Sequence, residues 1–145
     1  MDFTNEMAAA VRAARADIAL TIHTYPWFAP DPHYGQRTHI DYVGQTVSWF
    51  VRPHWPLATV RRRTAQVVAA QHEFCPSHAA APFIGFDPRQ PGDFRSARRV
   101  AEELQRIRDS GATAIQLAEL GHLLRRPSVA EAMARELGGS CRAQW

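Results

Sequence analysis

Ala97-Arg98-Arg99-Val100-Ala101-Glu102-Glu103-Leu104-Gln105-Arg106-Ile107-Arg108-Asp109-Ser110-Gly111-Ala112-Thr113-Ala114-Ile115-Gln116-Leu117-Ala118 carries the fold of this chain in miniature. Ala97, Val100, Ala101, Leu104 and Ile107 recur at i, i+3, i+4, i+7 and i+10, the stripe of an amphipathic helix. Gly111 stands just past its end, where a left-handed cap needs a residue without Cβ. Ala112 to Ala118 then reads as a short buried strand. A helix that turns on a glycine into an apolar strand is one repeat of an α/β chain.

Working toward the N-terminus, the same alternation continues. Pro82-Phe83-Ile84-Gly85-Phe86 reads as a short buried strand ended by Asp87-Pro88. A helix from just after Pro56 to about Phe74 precedes it, with Leu57, Val60, Val67, Val68 and Phe74 roughly on one side. Arg61, Arg62 and Arg63 spread round the other, as a solvated helix face would. Cys75-Pro76-Ser77 breaks that helix. Val43 to Val51 fits either a strand or a short helix begun near Thr38. Ile18 to Tyr25 is β-branched and nearly continuous in apolar character, so it reads as a strand stopped by Pro26. Thr4 caps a first helix reaching about Ala16. At the other end, Ser128 and Glu131 have capping-box spacing for a last helix closing at Gly138-Gly139. Residues 1–139 read as a single α/β domain and residues 140–145 as a loose tail.

Composition narrows the class. The 145 residues suit about one domain. At 46% hydrophobic and 10% aromatic residues, the chain can build a core. No run of 18 apolar residues occurs, so no membrane span is expected. The acidic start Met1-Asp2-Phe3-Thr4-Asn5-Glu6 is unlike a signal peptide. With two cysteines, Cys75 and Cys141, and no CxxC, neither structural zinc nor a disulfide is implied, and a reduced cytoplasmic location is the default. All 17 basic residues are arginine, giving a net charge of +3. A nucleic-acid partner follows only weakly from that, because arginine-only, alanine-rich usage also reflects base composition of a genome.

Parallel strands alternating with amphipathic helices argue for an α/β sheet. A flavodoxin-like fold would open on a strand and keep regular spacing. This chain opens on a helix, and its first inter-strand interval is long. Residues 26–56 hold five of the ten prolines and three of the four tryptophans, more than a linker would carry. A complete (β/α)₈ barrel needs about 250 residues. The expected fold is therefore a partial (β/α) TIM barrel, roughly the C-terminal half.

Three stretches carry a resemblance. Asp41-Tyr42-Val43-Gly44-Gln45-Thr46-Val47-Ser48-Trp49-Phe50-Val51-Arg52-Pro53-His54-Trp55-Pro56, Pro82 to Pro88, and Gly111 to His122 resemble the C-terminal half of bacterial glycoside-hydrolase-like TIM barrels. The resemblance spans about residues 17–137 and departs from the family in lacking the N-terminal half. It implies saccharide binding or hydrolysis. One of the two carboxylates in such barrels often lies on an earlier strand.

Ligands of parallel α/β folds sit at the C-terminal ends of the strands. That rule selects His23 and Tyr25, then Asp87, then Glu119 and His122, with Asp31, Asp41 and His33 leaning in from the long loop. Asp87 and Glu119 are the candidate catalytic carboxylates, one to protonate the leaving oxygen and the other to attack or to activate water. Asp before Pro is equally an ordinary turn former, and a strand-end Glu equally pairs with a nearby arginine. His23, Tyr25, Trp27, Asp41, Trp55 and His122 are the candidate saccharide contacts. The tryptophans offer flat faces to sugar rings, or pack their loop down instead. His23 in an apolar strand also suits a hydrogen-bonded core histidine.

No metal or cofactor is expected. His23, His33, His39 and Asp41 lack His-x-His or His-Glu-x-x-His spacing. There is no Gly-x-Gly-x-x-Gly, and without lysine neither a P-loop nor a Schiff base can form. A Gly-x-Ser-x-Gly elbow is absent too. The competing expectation is a non-catalytic truncated barrel or interaction module. Two open sheet edges would then drive self-association as a homodimer, or union with a missing N-terminal half.

Overall fold

The computed structural model describes residues 2–24, 42–49, 53–74, 79–86, 95–118 and 120–138. Their order is α1 (Asp2–Ala14), β1 (Thr21–Thr24), β2 (Tyr42–Ser48), α2 (Leu57–Phe74), β3 (Ala79–Ala80), β4 (Phe83–Ile84), α3 (Ala97–Asp109), β5 (Gln116–Leu117), α4 (Leu120–Leu124) and α5 (Pro127–Glu136). The protein is α/β, and every strand pairing is parallel. β3 and β4 both pair with β2 and act as one strand interrupted at Ala81-Pro82. Strands therefore lie side by side in chain order, β1-β2-β4-β5, without the reversal that marks a doubly wound sheet.

Local chemistry explains most boundaries. Ser96 has extended backbone angles, and its Oγ accepts the Arg99 backbone N–H at 3.2 Å, so α3 starts where an N-cap stands. Gly111 has φ +86° and Gly138 φ +90°, so both turns after α3 and α5 use a backbone that side chains disfavour. The capping box expected at Ser128 does not form. Pro127 occupies the first turn, Arg126 takes the cap position, and no side chain bonds there. Proline's fixed φ starts the helix one residue early. The first helix likewise begins at Asp2, which leaves Thr4 inside it.

The helix layer is held by apolar contact. α3 packs against α2 on one side and α5 on the other, while α2 lies over β2 and β3. Val47, Val60, Val67, Ile84, Val100, Leu104, Ile107, Val129 and Met133 form one buried cluster where these elements meet. Each fully buried aliphatic side chain contributes about 1.5–3 kcal/mol. Of the expected strand 18–25, Thr21–Thr24 forms β1 and residues 18–20 precede it, while Tyr25 lies outside the described residues.

The pairing register separates the two faces of the sheet. Thr46, Phe83 and Gln116 are lateral neighbours, and Gly44 precedes Thr46 by one pleat. Ser48, Ile84 and Leu117 form the next row. Ile84 belongs to the helix-side core, so Gly44, Thr46, Phe83 and Gln116 look the opposite way. Two residues on β2, Thr46 and Ser48, oppose the adjacent pair Phe83 and Ile84 on β4, so the register slips by one. That slip turns Ser48 toward the helices although it is an even step from Gly44.

The face turned away from α2 and α3 is concave. The Gln116 side-chain amide on β5 donates to Thr21 Oγ1 on β1, the far edge of the sheet. In a flat sheet those strands lie three spacings, about 14 Å, apart. A glutamine and a threonine joined by a hydrogen bond span only about 10 Å. Gln116 also stands four positions further along the rows than Thr21, since Thr21 aligns with Tyr42 and Ala79 while Phe83 aligns with Gln116. Strands that are both curled and tilted bring the two together. Gly44 makes the room: a Cβ there would lie 2.3 Å from Gln116 Oε1 and 2.8 Å from the Ala81 carbonyl.

Candidate functional site

The described residues at the C-terminal ends of β2 and β4 converge on one carboxylate, Glu103. Ser48 Oγ donates to Glu103 Oε2 at 2.7 Å, and Arg95 Nη1 donates to the same oxygen at 2.6 Å. Arg99 Nε donates to Oε1 at 2.8 Å. Arg95 Nη1 also approaches Ser48 Oγ at 2.5 Å, and its Nη2 donates to the Gly85 carbonyl. The side chains of Glu103 and Arg95 are 0% and 1% exposed, so this is a dry ion pair. Burial pushes the Arg95 guanidinium below its ordinary pKa, and Glu103 opposes that shift. The Arg95 guanidinium carbon also lies 5.1 Å from the centre of the Phe86 ring.

The network fixes the rim. Ser48 closes β2, Gly85 follows β4, and Arg95 precedes α3, so the three segments are tied at one end of the sheet. Arg99 Nη2 donates to the Trp55 carbonyl and brings in the turn before α2. The Trp55 ring stacks on Trp49, with centroids 5.6 Å apart and planes inclined by 22°. Arg63 lies over Trp55 at 4.3 Å from the ring centre. Arg63 therefore departs from the expected solvated face, whereas Arg61 and Arg62 are exposed. His54 Nδ1 sits 3.1 Å from the Trp49 carbonyl and donates to it when it carries the ring proton.

Glu103 has donors on both oxygens and no exposure, so it acts as a hub that positions rather than as a group that meets a ligand. Sequence reading missed it, together with Arg95 and Ser48. The signal was present: Val100, Glu103, Leu104 and Ile107 are the buried residues of α3, so a carboxylate stands within the apolar stripe. A buried charge must be paired, and Arg99 at i−4 supplied one visible partner.

Of the expected site residues, Trp55 is described; it is half-buried and engaged with Trp49 and Arg63. His23 lies on β1, where its backbone pairs with Gly44, and His122 lies in α4. The side chains of His23 and His122 lie outside the described set, as do Tyr25, Trp27, Asp41, Asp87 and Glu119 altogether. The weighed cluster of His23, His33, His39 and Asp41 falls there too, and so do both cysteines. Among the described residues, no three His, Cys, Asp or Glu side chains gather as metal ligands. No described helix is long and apolar enough to cross a membrane.

Ile84 pairs with Leu117, and the Ala118 backbone N–H donates to the Ile84 carbonyl at 3.1 Å. Adjacent parallel strands therefore finish level. In the sequence Asp87 stands three residues beyond Ile84, and Glu119 two beyond Leu117. No protein family's model matches the chain, and no curated protein matches it.

Proposed function

We propose that this chain is a glycoside-hydrolase-like segment of a parallel barrel. It binds a saccharide over the C-terminal rim of its strands and hydrolyses it with Asp87 and Glu119. The observation that carries this reading is the level ending of β4 and β5, with a carboxylate two or three residues past each. The curl and tilt of the sheet, the sequential strand order and the layer of α2, α3 and α5 on the convex side all suit a barrel segment. The Ser48–Arg95–Glu103 hub supports the reading by holding β2, β4 and α3 rigid beneath the rim.

In this reading one carboxylic acid gives its proton to the leaving glycosidic oxygen. The other carboxylate attacks the anomeric carbon or takes a proton from the attacking water. Carboxylates about 5–5.5 Å apart give retention, and about 6.5–9.5 Å gives inversion. Aryl glycosides of a panel of sugars, with release of the aryl alcohol as the readout, test it. The reading expects turnover of at least one substrate and loss of at least 100-fold in Asp87→Asn and in Glu119→Gln, with binding retained. Turnover unchanged in both variants, or no binding across the panel, refutes it.

A further inference from the structure

Helix α5 delivers the backbone to the rim of an apolar hollow. The hollow holds about 530 Å³ and is lined among others by Leu104 on α3, by Ile115 and Leu117 at β5, and by Leu137 and Gly138 behind α5. Leu117 and Leu137 remain 38% and 39% exposed. Among the described residues β5 pairs only with β4, so its other edge borders the hollow. Residues 139–145 follow Gly138 in the sequence and lie outside the described residues. Their composition alternates strictly. Cys141, Ala143 and Trp145 are apolar, whereas Ser140, Arg142 and Gln144 are polar. Six residues of that pattern suit a half-buried strand, with its apolar positions on one face.

We propose that residues 140–145 form a further strand, parallel to β5 on its free edge, with Cys141, Ala143 and Trp145 covering the hollow. Three observations choose this segment as the occupant. The first is direction. The crossovers through α2 and then α3 each carry the chain one strand further the same way. α5 packs beside α3, and its Val129 and Met133 share one core with Leu104 and Ile107. Parallel crossovers keep one hand, so a strand after α5 falls beyond β5 rather than back over β4. The second is the turn. Gly138 has φ +90°, as Gly111 has φ +86° where α3 turns toward β5. The same backbone device stands at both helix ends, and Gly138 itself lines the hollow. The third is reach and size. A strand of six residues is about 20 Å long, enough to pass from the rim along β5. A hollow of about 530 Å³ has the volume of a small-molecule site, which accommodates one indole and two small side chains. Ser140, Arg142 and Gln144 then take the opposite face. This inference uses the strand order and not the chemistry assigned to Asp87 and Glu119.

The test is fluorine NMR on the full chain labelled with 5-fluorotryptophan, with Trp145→Phe assigning the Trp145 signal. The seated indole gives a signal displaced from its position in the urea-unfolded chain. A soluble paramagnetic agent relaxes it at least 5-fold less than free 5-fluorotryptophan. Leu137→Arg puts a charge into the hollow and returns the signal to the unfolded position, and Leu117→Arg does the same from the strand side. Phe3→Arg, on α1, leaves the signal in place. Phe3, Leu117 and Leu137 are all exposed, and circular dichroism checks that each variant keeps its fold. In a Cys75→Ser chain, a thiol reagent labels Cys141 at least 10-fold faster once Leu137→Arg is added. A wild-type Trp145 signal at the unfolded position overturns the proposal. So does a displaced signal that neither hollow variant moves, or equal labelling of Cys141 with and without Leu137→Arg. A displacement that grows with protein concentration assigns the hollow to a second copy and overturns it too.

Discussion

Replacing Glu103 by glutamine removes one charge from a dry site and leaves Arg95 there without its counter-ion. Arg95 is 1% exposed, and its nearest carboxylate oxygen is 2.6 Å away. Breaking one member of such a pair costs about 3–5 kcal/mol, chiefly for the stranded charge. Loss of the strong acceptor for Ser48 and Arg99 acts in the same direction. Domains of this size are stable by about 5–15 kcal/mol, so the variant forfeits a large share of the total. Each kcal/mol moves the melting temperature of a chain this long by about 2–4 °C, which places the variant some 6–20 °C below wild type. Urea titration followed by circular dichroism reads the loss directly, as a lower midpoint at constant slope. The double variant Arg95→Met/Glu103→Met removes both buried charges and restores part of the stability, because the one cation left without its carboxylate, Arg99, is 27% exposed and can be solvated. A Glu103→Gln loss below about 1 kcal/mol, or a double variant far worse than the single, refutes the hub as an ion-paired core.

Other outcomes follow from single positions. Gly44→Ala places a methyl 2.3 Å from Gln116 Oε1 and 2.8 Å from the Ala81 carbonyl, so it costs about 1–3 kcal/mol in a urea titration. Adding Gln116→Ala recovers only part, since the backbone oxygen stays. Gly111→Ala costs about 1–2 kcal/mol from its positive φ alone, the nearest side-chain atom being Val68 Cγ1 at 3.7 Å. Ser96→Ala removes the α3 cap and lowers stability by about 1 kcal/mol. The hydrogen bond from Arg15 holds the Asp17 carboxyl below the usual carboxylate range. Its contribution is present above the ordinary carboxylate pKa and is lost as pH falls through the lowered one. Both groups are exposed, so an NMR titration shows the shift while Asp17→Asn leaves the melting temperature unchanged.

Strong local signals carried much of the fold. α2 spans Leu57–Phe74 as its periodicity predicts, and α3 buries Val100, Leu104 and Ile107 from the expected stripe. Gly111 is left-handed where the turn required it. The segment 43–51, open between strand and helix, is a strand over its described part as far as Ser48; its partners on both sides decided what periodicity could not. The short pieces β3 and α4 had no readable pattern, because two to five residues complete no period. Strand 112–118 shrank to Gln116–Leu117, since its neighbour β4 offers only Phe83 and Ile84 to pair with. The rim was the hardest part to foresee. Ser48 stands 47 and 55 residues from Arg95 and Glu103, and a register slip on β2 aims it at the helices. The sequence picked strand ends by rule, whereas the contacts that hold those ends come from helix α3.

The account stands on a sheet curled until its first and last strands touch across the concave face. A nuclear Overhauser measurement on the labelled chain between the Gln116 side-chain amide protons and the Thr21 methyl group tests this directly. The curled sheet gives a cross-peak, because the two side chains share a hydrogen bond. A flat parallel sheet holds the strands about 14 Å apart and gives none; its absence, with both resonances assigned, contradicts the account.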